Sequence, residues 1–306
     1  MQKYIILILK GIGMGAANVI PGVSGGTIAL ITGIFERLIH SIKSFNIKAI
    51  KLFFAGKFKE FAKHTDIYFL LAILIGIIIA VVSLAKVFDF LFINYPVYIW
   101  SFFFGLVLAS VYFVGKTISK WSTSVVITFI IGVAIAVYVS TLNPAVENKG
   151  FVYLMFCGVA AICSMILPGL SGSFILVILG NYKLVAIDAI NNRDIEILIP
   201  VLLGAVVGLL AFSHFLSWVF KKYKNQTIAI LTGFILGSLS ILWPWQKKIY
   251  LYNDFNELII KKGEPVVARF ERIIPETFNN EVMTAIIFVL VGIASIWLIE
   301  KLAKIK

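Results

Sequence analysis

Histidine occurs only three times in this chain, cysteine twice, and charged residues make up just 14% of it. Cys157 and Cys163 lie inside one apolar stretch, with no further Cys or His near enough to complete a metal site. Neither a disulfide framework nor a zinc centre is implied, and both cysteines read as core residues. With His40, His64 and His214 as the only imidazoles, the sequence shows no nucleophile beside a base and no metal-binding cluster, which weighs against an enzyme. Scarcity of charge excludes an ordinary soluble domain.

What fills the chain instead is apolar: 60% of its 306 residues are hydrophobic and the mean hydropathy is +1.01. An all-α polytopic membrane protein follows. Six stretches, about residues 67–88, 96–115, 121–141, 198–220, 227–243 and 281–300, have the roughly 20 apolar residues that a bilayer core requires. Residues 4–20, behind Lys3 and containing Ala16 and Ala17, have the look of a signal peptide. A similar segment near residue 160 argues against cleavage, because a mid-chain copy is no targeting signal.

The formal net charge of +12 would suggest nucleic acid in a soluble protein. Its distribution points elsewhere. Sixteen Lys and Arg fall on one side of the expected spans and nine on the other, six of those nine in a long 244–280 loop. That bias places both termini in the cytoplasm under the positive-inside rule, so no nucleic-acid partner is expected.

Two apolar runs are broken in the same way, by "NVIPGVSGGTIALITGIFERL" at residues 18–38 and "SMILPGLSGSFILVILGNYKL" at 164–184. The offset is 168 − 21 = 147, and it also pairs Ser24 with Ser171, Gly25 with Gly172 and Gly33 with Gly180. Further on, "GIIIAVVSLAK" at 76–86 aligns with "GAVVGLLAFSH" at 204–214, an offset of 204 − 76 = 128. The first copy therefore holds 147 − 128 = 19 extra residues, the basic stretch around "KAIKLFFAGKFKEFAKH". A weaker match sets "FIIGVAIAVY" at 129–138 on "VLVGIASIWL" at 289–298. The chain reads as one membrane domain, 1–306, with a first repeat at 1–141 and a second at 151–306.

Parity gives the repeat its meaning. Only nine apolar positions, 27–35, follow the first break before Glu36 and Arg37, about 14 Å of helix, too short to cross a core of about 30 Å. The alternative is a Pro-Gly kink within a full span, which membrane helices tolerate. If each break instead makes a re-entrant hairpin and three spans follow, the halves are inverted repeats, the pattern of secondary transporters.

Freed backbone groups at such hairpin tips must face protein or a cavity. Ser24 and Ser171 are natural N-caps, and small residues beside them (Gly25, Gly26, Thr27; Gly172, Ser173) leave first-turn N–H groups approachable by an anion. The chemistry does not separate phosphate from carboxylate or chloride. Arg37 suits phosphate, whereas Lys86, His214, Glu36, Lys183 and Lys10 are ionisable groups at or within apolar segments with snorkelling or structural readings beside the functional one. The pairs Gly76/Ala80, Gly204/Gly208, Gly105/Ala109 and Gly233/Gly237 read as close helix packing, and "GIGMG" at 11–15 follows no strand and is no dinucleotide fingerprint.

The segments "GAANVIPGVSGGTIALITGIFERLI", "ICSMILPGLSGSFILVILGNY" and "NYPVYIWSFFFGLVLASVYFVG" resemble the bacterial PopT family, long catalogued only as a membrane domain of unknown function. The resemblance spans most of the chain. It implies a plasma-membrane translocase that returns undecaprenyl phosphate, the carrier lipid of cell-wall synthesis, from the outer to the cytoplasmic leaflet without a cofactor. On that reading the phosphate headgroup meets Asn18, Pro21, Gly22, Ser24, Gly25, Gly26, Thr27 and Arg37 from the first half and Pro168, Gly169, Ser171, Gly172 and Ser173 from the second. Ser173 stands where the first motif has a second glycine, so the closer backbone approach is expected at the first tip. Inward movement of negative charge opposes an inside-negative potential by about 2.3 kcal/mol per charge per 100 mV. Proton coupling is therefore expected, with Glu36 or His214 as carriers and Lys86 as a possible charge partner. An anion channel and an intramembrane lipid phosphatase are the competing readings.

Overall fold

The computed structural model describes residues 2–19, 24–250, 260–261, 264–265 and 267–304. Helix α1 (Gln2–Val19) is followed by the first break and by a short α2 (Gly25–Ile31). At one end of the pair the Gly25 N–H donates to Asn18 Oδ1 at 2.7 Å, and at the other Lys10 Nζ donates to Thr32 O at 2.7 Å. Contacts that run in opposite senses along the two helices mean that α2 doubles back along α1. Lys10 also sits where a cation is favourable, against the C-terminal carbonyls of α2. Gly33, at φ +69, then turns the chain into α3 (Phe35–Lys43).

The 19 extra residues fold as two short helices, α4 (Ile47–Phe54) and α5 (Phe58–Thr65), held by ring contacts among Phe45, Phe53 and Phe61. Asp66, left-handed at φ 52, then opens α6 (Ile67–Asn94), which leads to α7 (Pro96–Gly115) and α8 (Thr123–Thr141). The second half repeats the plan with α9 (Phe151–Ile166) and α10 (Gly172–Ile178), a π-helical turn at Lys183–Asp188, and α11 (Ala189–Asn192). Three helices complete it, α12 (Ile195–Lys222), α13 (Lys224–Ser238) and α14 (Asn280–Lys304). The second break also forms a hairpin: Gly172 lies against Met165 and Ala161, and Tyr153 Oη donates to Leu179 O at 2.8 Å.

Element boundaries obey the sequence offsets. α10 lies 172 − 25 = 147 residues after α2, and α12 lies 195 − 67 = 128 after α6, each with the same length as its counterpart. Packing follows too. A Cβ on Gly76 would collide with Ile8 O and one on Gly204 with Met155 O, and Gly11 and Gly158 meet Ile73 O and Val201 O in the same way. Between the halves, Gly105 abuts Val289 O and Gly233 abuts Phe129 O. The small residues therefore bring backbones together, as membrane helices without a hydrophobic driving force between them require. α6 and α12 also expose the same apolar face, Leu74, Ile78 and Ile79 on one and Leu202, Val206 and Val207 on the other.

Among the described residues five helices, α6, α7, α8, α12 and α14, are long and apolar enough to cross a membrane. The expected span at 227–243 is shorter, because α13 holds 15 residues and ends at Ser238. Beyond it the chain tightens into successive i→i+3 turns through Leu242, ahead of Pro244, whose predecessor is biased away from helix. The 244–280 loop departs from an all-helical chain. β1 (Gln246–Tyr250) pairs antiparallel with β4 (Val267–Arg272), with a minor ladder of β2 (Ile260–Lys261) and β3 (Glu264–Pro265) between them. Trp243 Nε1 ties its base to Ile273 O at 2.9 Å.

Candidate functional site

The two breaks meet. Ser24 Oγ donates to Met165 O at 3.2 Å, and Gly26 packs so closely on Ile166 O and Pro168 N that no larger residue fits there. Ser24 is the expected N-cap of α2, accepting from the Gly26 N–H at 3.1 Å. Pro21 and Gly22 lie outside the described residues.

The first-turn N–H groups of α2 are all occupied in this conformation. Gly25 N–H is taken by Asn18, Gly26 N–H by the Ser24 hydroxyl, and Thr27 N–H by Ser24 O at 2.9 Å, while Ser24 and Thr27 are buried. This corrects the expectation of approachable N–H groups here. A dry interior penalises any donor left unpaired, so neighbouring polar side chains fill the positions an anion would take.

The second tip is the open one, opposite to the order expected from Ser173. Ser171 does not cap α10; its hydroxyl pairs with that of Ser173 at 2.7 Å, and Ser173 is exposed. No partner is present among the described residues for the Gly172, Ser173 or Phe174 N–H. Pro168 and Gly169 are buried, with Gly169 at φ +80 pressed onto the backbone of Phe234 and Ile235. Only glycine meets both demands there.

Arg37 stands apart from both tips. On α3 it makes a bidentate pair with Asp66, Nε to Oδ2 at 2.7 Å and Nη2 to Oδ1 at 3.0 Å, and its guanidinium lies 4.2 Å above the Phe69 ring. Around them is a cavity of about 530 Å³ lined by Glu36, Arg37, His40, Ser41, Lys63, His64 and Asp66, with no tip residue on its walls among the described residues. Glu36 Oε1 meets Lys224 Nζ at 2.6 Å, an exposed bond from α3 to α13. Asp66 was not among the expected site residues, although its counterpart 128 residues on, Asp194, is also an aspartate.

The remaining ionisable candidates are dispersed. Lys86 and His214 hold equivalent places on α6 and α12, both exposed, and His214 Nδ1 bonds Leu210 O of its own helix at 2.8 Å. Lys183, in the place equivalent to Glu36, pairs with Asp188 at 3.6 Å. Cys157 is buried as expected, whereas Cys163 is only partly so.

A multi-pass helical membrane protein whose two helix breaks touch is the class these features define. Residues 14–259 match the VCA0040-like, undecaprenyl phosphate translocase-like family, and the chain belongs to it. It is 36% identical over 309 residues to the polyprenyl-phosphate transporter of Vibrio cholerae serotype O1, covering 99% of this chain and 98% of that protein. A polyprenyl-phosphate transporter of Staphylococcus aureus is 31% identical, over 80% of this chain and 88% of the relative. No solved structure matches the chain.

Proposed function

We propose that this protein is a transporter that moves undecaprenyl phosphate, or a closely related polyprenyl phosphate, from the outer to the cytoplasmic leaflet of a bacterial plasma membrane, with both termini in the cytoplasm. The observation that carries the reading is the meeting of two broken-helix tips, Ser24 on Met165 O, in a chain whose relatives are named polyprenyl-phosphate transporters. An inverted arrangement of the halves has support from α8 and α13, which run parallel: Gly132 meets Ile230 and, one turn on, Ala136 meets Gly237. Strict alternation of spans puts these two helices parallel when the second hairpin starts from the opposite face.

The headgroup is assigned to Asn18, Pro21, Gly22, Ser24, Gly25, Gly26 and Thr27 on one side and to Pro168, Gly169, Ser171, Gly172 and Ser173 on the other, with the open helix-end N–H groups of this conformation at Gly172 and Ser173. Arg37 offers a cation at a separate place. A headgroup that visits both in turn keeps its charge satisfied across the core, while the prenyl tail stays in lipid. The open second tip is the accessible one in this conformation, so Ser173→Leu, at an exposed position, is expected to lower leaflet transfer of a labelled polyprenyl phosphate in proteoliposomes severalfold without altering detergent stability. Uptake of phosphate or chloride that ignores added polyprenyl phosphate would instead favour an anion channel.

Glu36, in the cavity beside Arg37, is better placed to carry a coupling proton than His214, whose imidazole is engaged by its own helix and stands apart from that cavity. An inward-directed proton gradient should accelerate transfer by the parent and leave Glu36→Gln unaffected. Equal acceleration of both would remove Glu36 from this role.

A further inference from the structure

The two halves use the same aspartate differently. Asp194 lies 194 − 66 = 128 residues after Asp66, at the start of α12, and caps that helix: its backbone is extended (φ −74, ψ 95) and Oδ1 accepts from the Ile197 N–H at 3.4 Å. Asp66 at the start of α6 makes no such bond. Its backbone is left-handed, and both carboxylate oxygens go to Arg37 instead. Where Arg37 stands in the first half, the second half has Leu184, which is buried. The departure from symmetry is thus a matched pair, an arginine gained and a carboxylate diverted to it.

A carboxylate held by the Nε and Nη2 edge of arginine occupies the position and geometry that a phosphate takes on the same fork. Phe69, fully buried beneath the guanidinium, fixes the plane of that fork. The pair opens on a cavity with space for a phosphate and with Lys63, His40 and His64 on its walls, and the other N–H groups of Arg37 have no partner among the described residues. Each member of the pair is about two-fifths exposed, 39% and 38%, so water and an incoming anion reach it.

We propose that Asp66 is a built-in competitor for the phosphate headgroup: it holds Arg37 while the site is empty, the headgroup binds by displacing it, and its return expels the headgroup. This rests on the reading of Arg37 as a headgroup contact. It makes Asp66 a determinant of release, with carboxylate and phosphate taking turns on one guanidinium. No bond is made or broken beyond hydrogen bonds and ion pairing. The simpler role, a fixed tie between α3 and the start of α6, predicts the opposite effect of removing the charge.

Asn and Gly both accept the left-handed backbone at this position, so Asp66→Asn and Asp66→Gly keep the turn while removing the charge. The measurement is equilibrium binding of farnesyl monophosphate to the full-length protein in nanodiscs, for the parent, both Asp66 variants and Arg37→Ala. Both Asp66 variants are expected to bind about fivefold tighter than the parent, the scale set by losing a competing half-exposed pair. Arg37→Ala is expected to lose the binding. If Asp66→Asn and Asp66→Gly bind more weakly while Arg37→Ala still abolishes binding, Arg37 remains a headgroup contact and the competition is refuted. If Arg37→Ala binds as the parent does, the reading beneath the proposal fails and the proposal with it.

Discussion

Arg37→Ala should reduce leaflet transfer of a labelled polyprenyl phosphate to the rate of protein-free liposomes, while the variant still purifies as a folded protein. The fold survives because the pair it breaks is half-exposed, and such pairs contribute about 1 kcal/mol at most once solvent screening is counted. Transfer does not survive, because the planar fork that takes a phosphate through two parallel bonds is gone and the cations left on the cavity wall offer no such geometry. Arg37→Lys separates charge from geometry. It keeps the cation as a point charge on a flexible stem, so an intermediate rate is expected. A parental rate in Arg37→Ala would confine the headgroup to the hairpin tips and leave the Arg37 cavity a structural feature.

That cavity marks the boundary of what the amino-acid pattern disclosed. The doubled Pro-Gly-x-Ser-Gly breaks, the offsets of 147 and 128, and the glycines four apart are periodic signals. Each reappears as a hairpin, a matched helix or a backbone contact. Ser24 as an N-cap follows from local chemistry and is present. The tips are harder, because which N–H groups stay open depends on side chains from the other half, such as Ser24 reaching Met165 O, and on Asn18 turning inward to Gly25. Nothing in one motif read alone shows that the Ser171 hydroxyl pairs with that of Ser173 and not with the first-turn N–H groups of α10.

Asp66 escaped notice for a different reason. It directly follows the 19-residue insertion, whose many lysines read as a basic surface, and its partner lies 29 positions earlier on another helix. One signal was available. The offset that aligns α6 with α12 sets aspartate on aspartate, and two acidic residues heading apolar spans merit a search for what each binds. The shortened α13 had its signal as well, in the "WPW" at 243–245 that stops the helix while the apolar count runs on.

The packing glycines offer the largest expected effect on stability, and their duplication makes the test a paired one. Gly76→Val and Gly204→Val each place a branched side chain where the first carbon already collides with a backbone carbonyl, Ile8 O in one half and Met155 O in the other. A flexible side chain would swing aside, whereas a carbonyl within a helix moves only if the helix moves. α1 must then separate from α6, or α9 from α12, along a seam that small residues keep tight and that lipid does not reseal with any comparable driving force. Overpacking of this kind costs about 1–3 kcal/mol where neighbours yield and more where they do not. Both variants are therefore expected to lose the monodisperse peak in size-exclusion chromatography, or to melt many degrees below the parent in detergent. Gly56→Ala serves as the contrast, since no atom lies within 4 Å of the added carbon and only its φ of +69 opposes the change. Its cost should stay near the 1–2 kcal/mol of a left-handed alanine. If Gly204→Val unfolds the protein and Gly76→Val does not, the matched contacts are equal in shape but unequal in energy, and the α1–α6 seam is the one free to open during transport. Equal losses would instead make both hairpin seams rigid and assign the movement to the surfaces between the halves.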